Sequence, residues 1–208
     1  MFVITADQVN SRGELDRAPA ALAMLEDLDS SFATEADRNA GDEIQIVTES
    51  AETALEVLLR LSRTEQWSVG VGVGAVRLPL PRMAREASGA AFIEAREAVA
   101  AAKRRPTRFA LRAGSDSLNG GAHAMALVEL LISLRDRRSA EGWEVCDLLA
   151  TGINQAEAAE SLGITPQAVS LRLRIAGWRI EQDARPALAV VLESLERSSG
   201  TENADDDH

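Results

Sequence analysis

Cysteine and histidine are both scarce in this chain of 208 residues. The single cysteine, Cys146, excludes an internal disulfide framework and a cysteine-rich zinc site. Two histidines leave little for a histidine-based metal site or a serine–histidine–aspartate triad. No apolar run approaches the roughly 18 residues that a membrane-spanning helix needs, and residues 1–10 lack the features of a secretory signal. We therefore expect a cytoplasmic protein that does not enter a membrane.

Basic residues are also in deficit, because 22 lysines and arginines face 33 aspartates and glutamates, for a net charge of −11. A protein that coats nucleic acid non-specifically is usually basic, so this role is disfavoured. The charge is uneven along the chain: residues 1–60 hold 13 acidic and 4 basic residues, whereas residues 96–112 hold 6 basic and 1 acidic. The length allows one large or two small domains, and a hydrophobic content of 46% supplies a core.

Strand and helix patterns alternate through the first half of the chain. Short apolar or alternating runs predict strands at 2–6, 44–47, 67–74 and 108–111. Helical spacing of apolar residues predicts helices at 14–34, 49–61 and 90–104. Valine alternates with glycine in the strand at 67–74, which indicates that another backbone or a ligand approaches one of its faces closely.

Only helical patterns follow in the second half. Glycines and small polar residues cluster at 113–121, which predicts a linker. Helices are predicted at 122–138, 141–151, 155–163, 166–176 and 183–197, and the acidic tail 198–208 is predicted to be disordered. The pattern divides the chain into an α/β domain at 1–112 and an all-α domain at 122–197.

The most specific motif spans residues 154–174. Asn154 and Glu157 form a capping box at the start of one predicted helix, and Gly163 suits a left-handed residue at its end. Thr165 is placed to cap the next helix, with Pro166 at its first position. Val169 and Leu173 are predicted to face inward, which leaves Gln167, Ser170, Leu171, Arg172 and Arg174 for the outer face of the second helix. Together with Thr165, these five residues are the candidate DNA contacts.

This motif resembles the helix-turn-helix of region-four and LuxR-type bacterial transcription proteins, over roughly residues 135–180. The resemblance implies that the second helix enters the major groove of double-stranded DNA, where Gln reads adenine and Arg reads guanine or contacts phosphate. A three-helix bundle with no DNA role is the alternative. The apolar helix at 187–195 either pairs with a second copy, which would make a homodimer, or caps the domain core.

Acidic residues stand at two points of the N-terminal domain. Asp7 follows the first strand, while Asp42 and Glu43 occupy the turn before the next. Carboxylates at the ends of neighbouring strands hold a divalent ion such as Mg²⁺ or Mn²⁺ in some phosphate-binding sites. The alternative is that these residues are ordinary caps and turns.

The order of elements around these acids resembles the SatD family of small bacterial proteins and, more distantly, class III nucleotide cyclases and diguanylate cyclases. The matching segments are 7–12, 41–45, 69–74 and 87–96. The resemblance implies a nucleotide-cyclase-like palm of the α+β class, with Asp7, Asp42 and Glu43 as metal ligands and Arg96 as a ligand-binding residue. Phe92 occupies the position where class III cyclases carry an asparagine, which favours a sensor or scaffold over an enzyme.

The sequence therefore predicts a DNA-binding transcription regulator whose palm domain dimerises or senses a nucleotide-like ligand. Two other functions remain open. One is a metal-dependent nucleotidyl cyclase with an accessory helical domain, and the other is an adaptor whose helical module binds another protein.

Overall fold

A computed structural model of the chain describes residues 1–10, 15–39, 41–114 and 118–200. Within these residues it contains five strands, eight α-helices and two short 3₁₀ segments. The strands are β1 (Phe2–Gln8), β2 (Asp37–Asn39), β3 (Glu43–Thr48), β4 (Trp67–Val73) and β5 (Phe109–Ala113). The helices are α1 (Ala18–Leu25), α2 (Ala51–Ser62), α3 (Ala90–Ala102), α4 (Leu118–Asp136), α5 (Ala140–Ala150), α6 (Gln155–Leu162), α7 (Pro166–Ile175) and α8 (Trp178–Gly200). The 3₁₀ segments are Glu26–Ser31 and Ala84–Glu86.

The five strands form one mixed sheet in the order β2-β3-β1-β4-β5. Strand β1 is central and runs antiparallel to both β3 and β4, whereas β4 and β5 are parallel. Helix α3 connects the two parallel strands, as a parallel connection requires a crossover. The predicted combination of a β-sheet with α-helices is therefore confirmed.

Two glycines of β4 allow α3 to lie directly on one face of the sheet. A Cβ atom at Gly70 would lie 2.2 Å from the backbone nitrogen of Val99, and one at Gly72 would lie 2.1 Å from the carbonyl oxygen of Ala91. Buried Ala95 contributes a similarly small side chain to the contact. The close approach predicted from the valine–glycine alternation is confirmed, and the approaching group is a helix backbone.

The main hydrophobic core lies on the opposite face of the sheet. It joins side chains of β1, β3, β4 and β5 to helices α1 and α2, and it continues into the two long helices α4 and α8. Helix α4 contributes Val128 and Ile132 to this core, and α8 contributes Leu188 and Leu192. Helices α5, α6 and α7 pack around a separate, smaller core.

Several boundaries differ from the sequence expectations. The predicted helix at 14–34 is shorter, with α1 followed by a 3₁₀ segment that contains three acidic residues and two serines. The alternating pattern at 44–47 is typical of a strand with one buried face, but Ile44, Gln45 and Val47 are all buried because both faces of the sheet are covered there. Helix α8 begins at Trp178, earlier than expected, and contains Pro186 within it.

A strand and a helix extend into the two ends of the segment 113–121, which the sequence predicts as a linker. Strand β5 ends at Ala113 and α4 begins at Leu118, while residues 115–117 lie outside the described part of the chain. Helix α8 also continues to Gly200, inside the segment predicted as a disordered tail, and residues 201–208 lie outside the description. Among the described helices, none has the length and apolar content required to span a membrane.

Candidate functional site

The turn between α6 and α7 has the local geometry that its sequence predicts. The side chain of Asn154 accepts hydrogen bonds from the backbone nitrogens of Ala156 and Glu157, and Glu157 Oε2 accepts one from Asn154 N at 2.8 Å. Gly163 ends α6 with a φ of 63°, a left-handed conformation that suits glycine. Thr165 Oγ1 then accepts a bond from Ala168 N at 3.2 Å and caps α7.

A small core fixes α6 and α7 against α5. Buried Ala159 of α6 packs with Val169 and Leu173 of α7 and with Val145 and Cys146 of α5. Burial raises the pKa of the Cys146 thiol, so this cysteine is a packing residue with little thiolate character. The inward positions predicted for α7 are therefore confirmed, and the helix presents a defined outer face.

The predicted DNA-contacting residues lie along the outer face of α7. Thr165, Gln167, Ser170 and Arg174 are exposed, and the side chain of Leu171 is 45% exposed. In the described part of the chain, no carboxylate pairs with Arg174. Thr165, Gln167, Ser170 and Leu171 occupy the N-terminal and middle turns of the helix, which is the portion that contacts base edges when a helix enters the major groove. Arg174 follows on the same face in the last turn of α7.

Arg172 is placed differently from the other predicted contacts. Its Nη1 atom lies 3.2 Å from Glu144 Oε2 of α5, and its side chain is only 30% exposed. Sequence spacing assigned Arg172 to the outer face, and the structure shows that it lies at the border between that face and α5. Among the two arginines of α7, Arg174 is consequently the one available for an external partner.

The charge near α7 is close to balanced. Residues 151–180 contain three basic and two acidic residues, and Glu141 and Glu144 lie at the nearby end of α5. The hydroxyl group of Ser139 holds the pKa of Glu141 below its ordinary value, so this carboxylate stays charged at neutral pH. Any affinity of one α7 for phosphate is therefore modest.

The predicted acidic site on the sheet is only partly assembled. Asp7 of β1 and Glu43 of β3 are direct cross-strand partners, which places both side chains on the α3 face of the sheet. Asp42 precedes β3, and its carbonyl oxygen accepts a hydrogen bond from Gln8 N at 3.2 Å. Asp7 Oδ2 already pairs with Lys103 Nζ at 2.7 Å.

The three acids predicted as metal ligands do not form a group of three side chains around one point. A group of three or more histidine, cysteine, aspartate or glutamate side chains able to hold a metal ion is absent from residues 1–10, 15–39, 41–114 and 118–200. The ammonium group of Lys103 also competes with any cation for the Asp7 oxygen. Binding of Mg²⁺ or Mn²⁺ by Asp7, Asp42 and Glu43 therefore stays a prediction.

Arg96 lies on α3, the helix that covers the same face of the sheet. It is exposed, and none of the described acidic side chains pairs with it. Phe92, one helical turn earlier, packs against the small core formed by β1, β3 and α3. The aromatic ring of Phe92 is thus a packing element of α3.

A cluster of arginines that the sequence pattern does not indicate lies between α2, α4, α5 and α8. Arg135 of α4 and Arg138 of the connection between α4 and α5 are buried, and both pair with Glu181 of α8, which is also buried. The only local signal was an Arg-Asp-Arg-Arg run at the end of an otherwise apolar helical pattern. Such a run ordinarily indicates a solvated helix end.

Comparison of the chain with protein-family models, with curated proteins and with solved structures finds no match. Function is consequently inferred from the arrangement of the residues themselves.

Proposed function

We propose that this protein is a sequence-specific DNA-binding transcription regulator. Helices α6 and α7 act as a helix-turn-helix in which α7 is the recognition helix. The sheet and its covering helices act as a SatD-like, cyclase-like palm that dimerises or senses a nucleotide-like ligand. The observation that supports this most is the exposed outer face of α7, held by caps at Asn154 and Thr165 and by the turn at Gly163.

The side chains on that face have the chemistry of base and phosphate recognition. Gln167 offers the donor and acceptor pair that reads adenine, and Arg174 offers the guanidinium that reads guanine or binds phosphate. Thr165 and Ser170 supply hydroxyl groups for phosphate oxygens. Leu171 is an apolar side chain of the kind that contacts the methyl group of thymine.

A homodimer would compensate for the small positive charge around α7. Two linked recognition helices bind two half-sites, and the second contact becomes intramolecular. Helices α4 and α8 offer a surface for this contact, because they flank an almost wholly apolar groove of about 300 Å³. Leu130 and Ile180, which line it, are 68% and 63% exposed. Exposed apolar surface of this kind commonly marks an interface.

The enzymatic alternative has less support from the sheet. Phosphoryl transfer depends on positioned charge, yet Asp7 is paired with Lys103 and Phe92 fills the expected asparagine position. Exposed Arg96 remains suited to contact the phosphate of a bound nucleotide. A ligand-sensing or dimerising sheet domain therefore agrees better with these residues than a cyclase does.

Salt-dependent binding distinguishes a DNA-binding protein from an adaptor. Fluorescence anisotropy with a pool of random-sequence duplexes is expected to show binding at low salt, with affinity falling linearly on a log–log plot as salt rises. The variant Arg174→Ala is expected to weaken binding, whereas Arg77→Ala, which changes an exposed arginine in the loop after β4, is not. An adaptor would give no anisotropy change with any of the three proteins.

A further inference from the structure

A cavity of about 740 Å³ lies between α1, the 3₁₀ segment that follows it, and residues 32–36, which lead into β2. We call it the edge cavity, because β2 is an edge strand of the sheet. The volume falls within the range of about 300–1,000 Å³ that is usual for small-molecule sites. Its apolar lining residues are Leu22, Ala23, Phe32, Ala33, Ala36 and Pro81. Its polar lining residues are Glu26, Asp29, Thr34, Glu35 and Arg82.

A spacing of three residues brings part of this lining onto one face of the chain. Ala23, Glu26, Asp29 and Phe32 follow one another at this interval, and all four line the cavity. Side chains three positions apart lie above one another in a 3₁₀ helix, so the side chains of Glu26 and Asp29 are neighbours. Phe32 and Leu22 pack at the margin of the main core and present apolar surface beside them. The wall therefore combines two adjacent carboxylates with an apolar surface.

The lining stays negatively charged after its ion pair is counted. Glu35 pairs with Arg82, the one basic residue of the lining, with 2.8 Å between Glu35 Oε1 and Arg82 Nε. Within the described residues, no basic side chain pairs with Glu26 or Asp29. Residues 1–60, which contain both of them, hold 13 acidic and 4 basic residues. The cavity therefore favours a cation over an anion.

A hydroxyl group without a hydrogen-bond partner lies in the same wall. Thr34 lines the cavity and is only 6% exposed, and its buried Oγ1 atom has no partner among the described groups. The backbone nitrogens on either side are used by the fold, since Ala33 N donates to Val47 O and Glu35 N donates to Arg82 O. An unpaired buried hydroxyl group costs free energy, and a polar group of a ligand in the cavity would offset that cost.

We propose that the edge cavity binds a small aromatic amine, in which a primary ammonium group and a hydroxyl group are joined by an apolar ring. Glu26 and Asp29 accept hydrogen bonds from the ammonium group. Leu22 and Phe32 contact the ring, and Thr34 bonds to the hydroxyl group. A metal ion suits the cavity less well, because the described residues contain no group of three acidic, histidine or cysteine side chains able to hold one.

The edge cavity is separate from the outer face of α7, from Arg96 and from the groove between α4 and α8. A nucleotide-like ligand is anionic, whereas this ligand is a cation. The proposed site therefore goes beyond the proposed DNA-binding and nucleotide-sensing roles.

Calorimetric titration of the full chain with tyramine tests the proposal, because tyramine carries an ammonium group, a ring and a phenolic hydroxyl group. We expect saturable binding of one tyramine per chain. Phenethylamine lacks the hydroxyl group and is expected to bind about fivefold more weakly. The compound 3-(4-hydroxyphenyl)propionate has a carboxylate in place of the ammonium group, and no binding is expected because the unpaired carboxylates repel it.

Two variants assign the contacts, and a third is the control. Glu26→Gln keeps the shape of an exposed side chain and removes its charge, and it is expected to weaken tyramine binding about fivefold. Thr34→Val replaces the hydroxyl group with a methyl group, and it is expected to bind tyramine and phenethylamine equally well. Glu160→Gln, which changes an exposed glutamate of α6, is expected to bind as wild type does. Circular dichroism shows whether each variant folds.

Four results would overturn the proposal: no saturable binding of tyramine by the folded wild type, equal affinity in wild type and Glu26→Gln, an equal loss in Glu160→Gln, or binding of 3-(4-hydroxyphenyl)propionate as tight as that of tyramine. If folded Thr34→Val preferred tyramine over phenethylamine as strongly as wild type does, the contact between Thr34 and the ligand hydroxyl group would be wrong.

Discussion

Glu144 of α5 and Arg172 of α7 form an ion pair, with 3.2 Å between Glu144 Oε2 and Arg172 Nη1. The pair holds one of the two arginines of α7 at the border of its outer face, while Arg174 projects from the same helix without a described carboxylate partner. Within the proposed recognition helix, Arg174 is therefore free to contact DNA, whereas Arg172 must first leave Glu144.

Changing Glu144 to glutamine is expected to raise the affinity for duplex DNA severalfold, because it releases Arg172 and removes a negative charge near the phosphates. Protein stability should change little, since pairs this exposed contribute at most about 1 kcal/mol. Anisotropy titrations at fixed salt give the affinities. Glu52→Gln, which changes an exposed glutamate of α2, is the matched control. Equal affinities for both variants would show that Arg172 takes no part in binding.

The packing of α3 on β4 predicts very different outcomes for neighbouring glycines. Gly72→Ala would bring a Cβ within 2.1 Å of the carbonyl oxygen of Ala91, so the helix backbone must move. We expect a loss of about 3 kcal/mol or more in the free energy of unfolding. In Gly74→Ala the nearest atom would be 3.5 Å away, and a change within about 1 kcal/mol is expected. Urea unfolding compares the two, and similar losses would contradict the packing described here.

Acid is expected to destabilise the contact between α4 and the loop before β5. Glu129 accepts two bonds of 2.7 Å from Arg105 and one of 2.8 Å from Thr107. The bond from Arg105 holds the pKa of Glu129 below its ordinary value of 4.5, against the opposing effect of burial. Because the pKa is lower in the folded state, the stabilisation is complete above the unfolded pKa and is lost as the pH falls through the folded pKa.

Urea unfolding between neutral pH and about pH 3 measures this effect. Wild type is expected to lose more stability over the acid range than Glu129→Gln, which has no carboxyl group to protonate. Glu160→Gln, in which an exposed glutamate of α6 is changed, should follow the wild-type curve. If the free energy of unfolding of wild type and of Glu129→Gln fell in parallel with pH, Glu129 would not be a source of the acid sensitivity.

The apolar groove between α4 and α8 predicts a dimer that one charge disrupts. Leu130→Lys places an ammonium group in the groove and is expected to give a monomer in sedimentation experiments. Ile93→Lys is the matched control, because Ile93 is 61% exposed on α3 and lies outside the groove. A wild-type monomer, or a dimer that survives in Leu130→Lys, would exclude this surface as the interface.

Local chemistry made much of the α6–α7 region predictable. The caps and the turn depend on contacts between residues only a few positions apart. The types and spacing of Asn154, Gly163, Thr165 and Pro166 are therefore enough to locate them. The alternation of valine and glycine likewise predicted that another group would lie against β4. Such signals involve one element, or one element and its immediate neighbour.

The local sequence pattern could not predict contacts between residues that are far apart in the chain. Arg135 was expected on a helix, but its burial depends on Glu181, 46 residues later, and on the carbonyl oxygen of Leu59, 76 residues earlier. Strand β2 is short and polar, so its Asp37-Arg38-Asn39 sequence gives no strand signal and its pairing with β3 defines it. No local periodicity indicated that α4 and α8 would share a core with the sheet.

The most direct test of the central claim is a selection of random duplex DNA at low salt, run in parallel with wild type and Arg174→Ala. The proposed role predicts one enriched motif with wild type, and loss or relaxation of that motif at about one position in the variant, where a base contact is worth about 1–3 kcal/mol. No enrichment with the folded wild-type protein, or the same motif at the same strength with Arg174→Ala, would contradict the assignment of α7 as the recognition helix.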